Sequence, residues 1–327
     1  MPRPPAVLDA FSRHGGRLAA ARATFPGAPQ PWLDLSTGIN PRPYPAPRAS
    51  RAEQARLPDP EALRSLEAVA ARAFGAPPGR VAAVPGSEAV IRLLPDLLEA
   101  QSVAIAAATY GGHAEAWRAA GRRITASPDD AKAWVVVNPN NPDGGRTSPD
   151  LLLSSAGRRW TIVDEAFVET APELSLAAQA QGRLVVLRSF GKFYGLAGLR
   201  LGFVVADERL VGRLKARLGD WPISADAIAA GLAAYADPDW ADAARSRLAR
   251  DAARLDRMLT RAGLTGTGGT SLFRLARAQD ARAVFLRLAG AGVLCRPFED
   301  PHLLRFGLPG RSADWARLEA ALSGDLP

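Results

Sequence analysis

Lys192 stands apart among the residues able to do chemistry. It is one of three lysines in 327 residues, with Lys132 and Lys215, while all the rest of the 41 lysines and arginines are arginine. It lies in the stretch SFGKFYGLAGLRLG (189–202), between Gly191 and the aromatic pair Phe193 and Tyr194. An amine in a glycine-flanked, partly desolvated loop can attack an aldehyde, a reaction closed to a guanidinium that stays protonated. Eight residues on, Arg200 offers a guanidinium that can hold a phosphate through two parallel hydrogen bonds.

Further reactive residue types stand just beyond short apolar runs. Asp164 and Glu165 follow the run WTIV, and a carboxylate leaving a hydrophobic strand needs a partner such as a cationic ring nitrogen. NPNNPDGG (138–145) follows AWVVV; it reads either as turn chemistry or as amides, Asn141 among them, placed over a ligand crevice. Tyr110, with Gly111 and Gly112 after it, is a core side chain or a ring that stacks on a flat ligand. Pro85-Gly86-Ser87-Glu88 opens a helical stretch, as a simple cap by Ser87 or as a phosphate cradle of free N–H groups. Taken together these are a phosphate cradle, a stacking ring, an amide donor, a carboxylate and an amine, the set that pyridoxal phosphate requires.

Positioning them needs a layered scaffold. Strand-like runs at 81–84, 102–107, 133–137, 160–164, 184–189 and 201–206 alternate with helical stretches, including 87–99, 112–120 and 149–158. That alternation predicts an α/β domain with a mainly parallel sheet, whose ligands bind beyond the carboxyl ends of the strands. The proline-rich first 50 residues read as an extended arm with turns. After about residue 207, long helical stretches and then short strands at 270–276, 293–298 and 302–307 predict a smaller α+β domain. The expected division is an arm at 1–50, a large domain at 51–215 and a small domain at 216–327.

The pattern S-x-x-K-x-x-x-x-x-G-x-R-x-G, present as Ser189, Lys192, Gly198, Arg200 and Gly202, resembles that of fold type I pyridoxal-phosphate enzymes of the class I/II aminotransferase family. NPNNPDG and VDEAF stand before it at the expected distances. The resemblance, which spans the chain from about Asp34 to the last helix, implies roles position by position. Lys192 takes the cofactor's aldehyde and moves protons, Asp164 keeps the ring nitrogen protonated, Asn141 donates to the phenolic oxygen, and Tyr110 stacks on the ring. The amides at Gly86, Ser87 and Glu88, with Ser189 and Arg200, hold the phosphate. Arg305 grips a substrate carboxylate, with Gly38 and Asn40 in the closing arm. Two positions depart from the pattern, where Phe167 and Leu57 replace tyrosines common in the family. The opening RHGG and the arm DLSTGINP are similar to a branch that decarboxylates a small phosphorylated amino acid, making His14 a candidate for the substrate phosphate. An aminotransferase of a phosphorylated amine is the alternative. The resemblance also implies a homodimer.

The remaining composition narrows the field. The formal charge is +8, but the arginines are dispersed and alternate with alanine along helical stretches, as solvated faces do, so no nucleic-acid partner is expected. One cysteine, Cys295, rules out an intrachain disulfide. His14, His113 and His302 have no metal-ligand spacing, so no metal site is expected. No apolar run approaches the ~20 residues that cross a bilayer, and the N-terminus has no signal-like core, giving an expectation of a cytoplasmic protein without a membrane partner.

Overall fold

The computed structural model describes residues 5–324, so the first four residues of the expected arm and the last three of the expected small domain lie outside the described residues. The chain divides into two compact units, one of residues 43–243 and one of residues 1–42 with 244–327. Residues 43–50 and 216–243 therefore pack with the large unit, a wider span than the 51–215 expected. The helix Pro238–Arg261 runs through the second boundary. The N-terminal segment is not simply extended: helices form at Pro5–Ser12 and Leu18–Thr24 before a short strand, β1 (Leu33–Asp34). Its prolines gather at the start and after residue 25, leaving the alanine-rich run LAAARAT free to wind. Among the described residues, no helix is long and apolar enough to cross a membrane.

The large unit is built on seven strands: β2 (Val81–Val84), β3 (Ser102–Ile105), β4 (Arg123–Thr125), β5 (Ala133–Val137), β6 (Trp160–Glu165), β7 (Leu184–Ser189) and β8 (Gly202–Val205). They lie in the order β2-β8-β7-β6-β5-β3-β4. All neighbouring pairs run parallel except those of β8, which is antiparallel to both β2 and β7. The central strands are Val- and Leu-rich and buried along almost their whole length, as expected of a sheet covered by helices on both faces. Each buried Val or Leu contributes about 1.5–3 kcal/mol. β4 was not anticipated; RIT is short, charged and at the sheet edge, so it lacks the apolar run that marks its neighbours.

The flanking helices carry ordinary stop and start signals. Helix Pro60–Phe74 begins with Asp59 accepting from the Glu61 N–H and a proline in its first turn, and ends at Gly75 with φ +66°. Helix Ser87–Leu97 follows Gly86, whose φ of +80° suits glycine.

The other unit holds a four-stranded antiparallel sheet of β9 (Thr265–Thr270), β10 (Phe273–Arg277), β12 (Arg296–Pro297) and β13 (Leu303–Gly307), in the order β12-β13-β10-β9. The run expected as one strand at 293–298 splits into β11 (Val293–Leu294) and β12, and β11 pairs instead with β1 of the N-terminal segment. β9, TGTGGT, was also unforeseen, since its three glycines read as a turn.

Candidate functional site

The reversal of β8 shapes the site. Because β2 and β7 both end where β8 begins, the register sets Gly202 between Val84 and Ser189. The loop after β2, the loop after β7 and the start of β8 are thereby gathered at one edge of the sheet. A Cβ at Gly202 would stand 2.8 Å from the Ser87 nitrogen and 2.9 Å from the Arg188 carbonyl oxygen. Only glycine lets the strand pass this close to the head of helix Ser87–Leu97.

At that head the first-turn N–H groups of Ser87 and Glu88 have no partner within their helix. Their helix also contributes the positive end of its dipole. Arg200 reaches the same spot from the loop before β8: its Nη2 would be 2.7 Å from a Cβ placed on Gly86, and its Nη1 donates to the Ala197 carbonyl at 3.1 Å. Ser189 closes the group at the end of β7. Two helix amides, a hydroxyl and a guanidinium make an anion cradle, and a side chain on Gly86 would fill it.

Beside the cradle stand the other expected residues. Asp164, at the end of β6, is buried. Its Oδ1 accepts from the Ala166 N–H at 3.1 Å and its Oδ2 lies 2.9 Å from Nε2 of the buried His113. Asn141, buried in the loop after β5, forms one of three cis X-Pro bonds among the described residues. Tyr110 caps helix Gly111–Ala119 and its hydroxyl donates to Glu88 Oε2 at 2.9 Å. Burial, reinforced by the Glu88 charge, pushes the Tyr110 phenol well above its usual range, so it stays an O–H donor. Lys192, half-buried in the single turn Phe190–Phe193, completes the set. Gly86, Ser87, Glu88, Tyr110, Asn141, Asp164, Ser189, Lys192 and Arg200 all line one cleft, with Phe167 in its wall. An amine, an anion cradle, a buried carboxylate, an amide and a ring on one cleft fit a phosphate-bearing pyridine aldehyde.

His14, Gly38, Asn40 and Arg305 belong to the other unit. There Ser36 is the meeting point. Gly16, at φ +78°, donates its N–H to Ser36 Oγ at 2.7 Å, Ser36 Oγ donates to Asp34 Oδ1 at 2.5 Å, and Arg305 Nη2 donates to the Ser36 carbonyl at 2.8 Å. The HGG turn, the DLS segment and Arg305 are thus tied together. A Cβ on Gly15 would collide with the Ser36 carbonyl, which explains the glycine pair after His14. Arg305 is buried in β13 with its guanidinium carbon 5.0 Å from the Phe273 ring centre. Burial first, and Arg296 second, pull its guanidinium down to about 9, still a cation at neutral pH. Asn40 is buried and its Oδ1 accepts from the Arg42 N–H at 3.0 Å and from Arg247 Nη2 at 3.2 Å. Gly38 is buried as well, whereas His14 is exposed.

Two contributors escape a reading of the sequence. His113 attracted attention only as a histidine without metal-ligand spacing; its place three residues after Tyr110, on the same helical face, is the signal that would have tied it to the site. The Glu88 side chain, as distinct from its amide, is the other.

The model of the family described as aminotransferase class I and II matches residues 32–323. The chain belongs to that family. Its fold agrees with that of a histidinol-phosphate aminotransferase from Sinorhizobium meliloti solved in complex with pyridoxal-5'-phosphate, with a TM-score of 0.80, 19% identity, and 99% of this chain and 97% of that chain covered. Among proteins similar in sequence, the threonine-phosphate decarboxylase of Pseudomonas aeruginosa is 40% identical over 95% of this chain and 97% of its own length. The threonine-phosphate decarboxylase of a Sinorhizobium species is 41% identical over the same shares.

Proposed function

We propose that the protein is a pyridoxal-phosphate-dependent decarboxylase that converts L-threonine O-3-phosphate to (R)-1-amino-2-propanol O-2-phosphate in cobalamin biosynthesis. The observation that carries this reading is the 40% identity, across 95% of the chain, to a protein named for that activity. The cleft supports the cofactor: every residue assigned to hold it lines the same space within the 43–243 unit.

Bound there, pyridoxal phosphate supplies an aldehyde for the substrate amine and a ring that draws electrons from the bond that breaks. The residues do the rest. The amides of Ser87 and Glu88, Ser189 and Arg200 anchor the phosphate. Asp164, oriented by His113 and the Ala166 N–H, would hold a proton on the ring nitrogen. Asn141 donates to the phenolic oxygen and Tyr110 covers a ring face. Arg305 is assigned to the substrate carboxylate, the group that leaves as CO₂. Gly38 and Asn40 are assigned to the substrate arm and His14 to the substrate phosphate. The Lys192 side chain, as its ammonium, is assigned to deliver the one proton that Cα takes in place of CO₂, and ends as the free amine.

Phe167 departs from the tyrosine common in the family and brings no hydroxyl to the phenolic oxygen. Incubation with threonine phosphate should release one CO₂ per aminopropanol phosphate formed. Glutamate formation from histidinol phosphate and 2-oxoglutarate, without CO₂ release from threonine phosphate, would replace this reading with the aminotransferase.

The proposal includes a cytoplasmic homodimer. Leu57 and Trp221, exposed by 66% and 50%, border a groove with Ile228 and Leu232, an apolar surface suited to a second copy. Sedimentation equilibrium at twice the 34.5 kDa chain mass is the expected result.

A further inference from the structure

We propose that the Glu88 side chain is the positioning residue for the Tyr110 ring, held in a closed circuit of polar contacts that joins two helices at the mouth of the cleft. The inference rests on the reading that this cleft takes pyridoxal phosphate and that Tyr110 covers its ring.

The circuit runs through four side chains. Tyr110, capping helix Gly111–Ala119, donates its hydroxyl to Glu88 Oε2 at 2.9 Å. Glu88, in the first turn of helix Ser87–Leu97, accepts on Oε1 from Arg92 Nε at 2.9 Å, with Arg92 Nη2 at 2.8 Å. Arg92, one turn on, reaches Glu115 Oε2 at 3.2 Å, and Glu115 returns the path to the helix that Tyr110 caps. Space is reserved for it: a Cβ on Gly112 would lie 2.5 Å from Tyr110 Cε1 and 3.1 Å from Glu88 Oε2.

The hydroxyl oxygen of a tyrosine lies on the χ2 axis, so holding it fixes where the far end of the ring sits, while the plane is limited at the ring edge, which here lies against Gly112. Here the hydroxyl is held, and by a residue whose own backbone N–H belongs to the anion cradle. The position of the ring is thereby coupled to the place where phosphate sits. Glu88 carries a cost for this, since a carboxylate beside an anion site repels the anion. The circuit answers that cost by giving both carboxylate oxygens a donor, one of them cationic. The two Arg92 ion pairs are partly solvated and contribute little stability by themselves. Their effect is on charge and direction.

The test is a double-mutant cycle on cofactor uptake. Apo protein of the wild type, Tyr110→Phe, Glu88→Ala, the double variant and Glu88→Gln is titrated with pyridoxal phosphate, followed by tryptophan fluorescence and by the visible band, with thermal unfolding to establish that each variant folds. Tyr110→Phe and Glu88→Ala should each weaken binding about fivefold to tenfold and shift the visible band in the same direction. The double variant should be no weaker than the weaker single variant. Glu88→Gln, which keeps an acceptor for the phenol, should bind within about twofold of wild type. Additive losses, or a Glu88→Ala protein with unchanged affinity and band, would overturn the clamp. A wild-type protein that binds no pyridoxal phosphate would overturn the cofactor reading itself, and the clamp with it.

Discussion

Nε2 of His113 lies 2.9 Å from Oδ2 of Asp164, and both side chains are buried. An ionised carboxylate only accepts, so Nε2 carries the proton and donates. The other ring nitrogen, Nδ1, has no hydrogen-bond partner among the described residues. The Asp164 carboxylate is therefore held from two sides, by the imidazole and by the Ala166 N–H, before any ligand enters.

His113→Phe keeps an aromatic ring in the site and deletes the donor. A hydrogen bond to a charged group contributes about 1.5–3 kcal/mol, so unfolding should shift by that order. The turnover number should fall at least about tenfold, equivalent to roughly 1.4 kcal/mol of barrier. Calorimetry and CO₂ release measure the two effects. An unchanged turnover number would show that Asp164 needs no second support.

The lysine motif contains two glycines that the structure treats differently. At Gly202 a Cβ meets backbone atoms at 2.8 and 2.9 Å, which cannot swing aside, whereas at Gly198 nothing lies within 4 Å. Gly202→Ala should force the head of helix Ser87–Leu97 away from β8 and weaken cofactor binding by about tenfold or more, with a lower Tm. Gly198→Ala should stay within about 0.5 kcal/mol of wild type, as exposed substitutions do. Fluorescence titration and thermal unfolding of the pair decide this.

How legible the molecule was in its sequence depended on how each residue does its work. β2, β5, β6 and β7 were visible because strands covered on both faces are continuous apolar runs. β4 and β9 were not, one being short and charged and the other rich in glycine. Lys192, Asp164 and Arg200 could be read because each lies at or near the end of a strand and has a chemistry that core residues lack. His113 and the Glu88 side chain act through another residue. Contacts such as His113 to Asp164, 51 positions apart, leave no local pattern.

Next to the site lies a buried ionic group. Arg188, paired in register with Glu165, donates Nη1 to Glu165 at 3.1 Å and Nη2 to Glu169 at 2.5 Å, and packs over Phe74. Burial pushes the Glu165 carboxyl above its usual 4.5, with Arg188 the main opposing charge. An acid raised in the folded state favours folding below its unfolded pKa, and that contribution is lost as pH rises through the folded value. Arg188→Met removes the opposing charge and should cost about 3–5 kcal/mol at neutral pH. It should also raise the Glu165 carboxyl further. The Tm gap to wild type should then narrow as pH falls from 8 to 5. A gap that widens toward acid would contradict the assignment.

Phe167 offers the last test, because its phenyl ring is buried in the wall of the cleft that holds Asn141 and Asp164. Phe167→Tyr adds one hydroxyl to a buried position in the wall of the cleft. Where the apo protein gives it no partner, a buried hydroxyl costs about 1–3 kcal/mol, and the apo Tm should drop. Pyridoxal phosphate would bring an acceptor, the phenolic oxygen, and the holo Tm should recover most of the loss. The difference between holo and apo Tm should therefore be larger in the variant than in wild type. If both forms are destabilised equally, the hydroxyl does not face the cofactor, and Phe167 has no bearing on the reaction chosen.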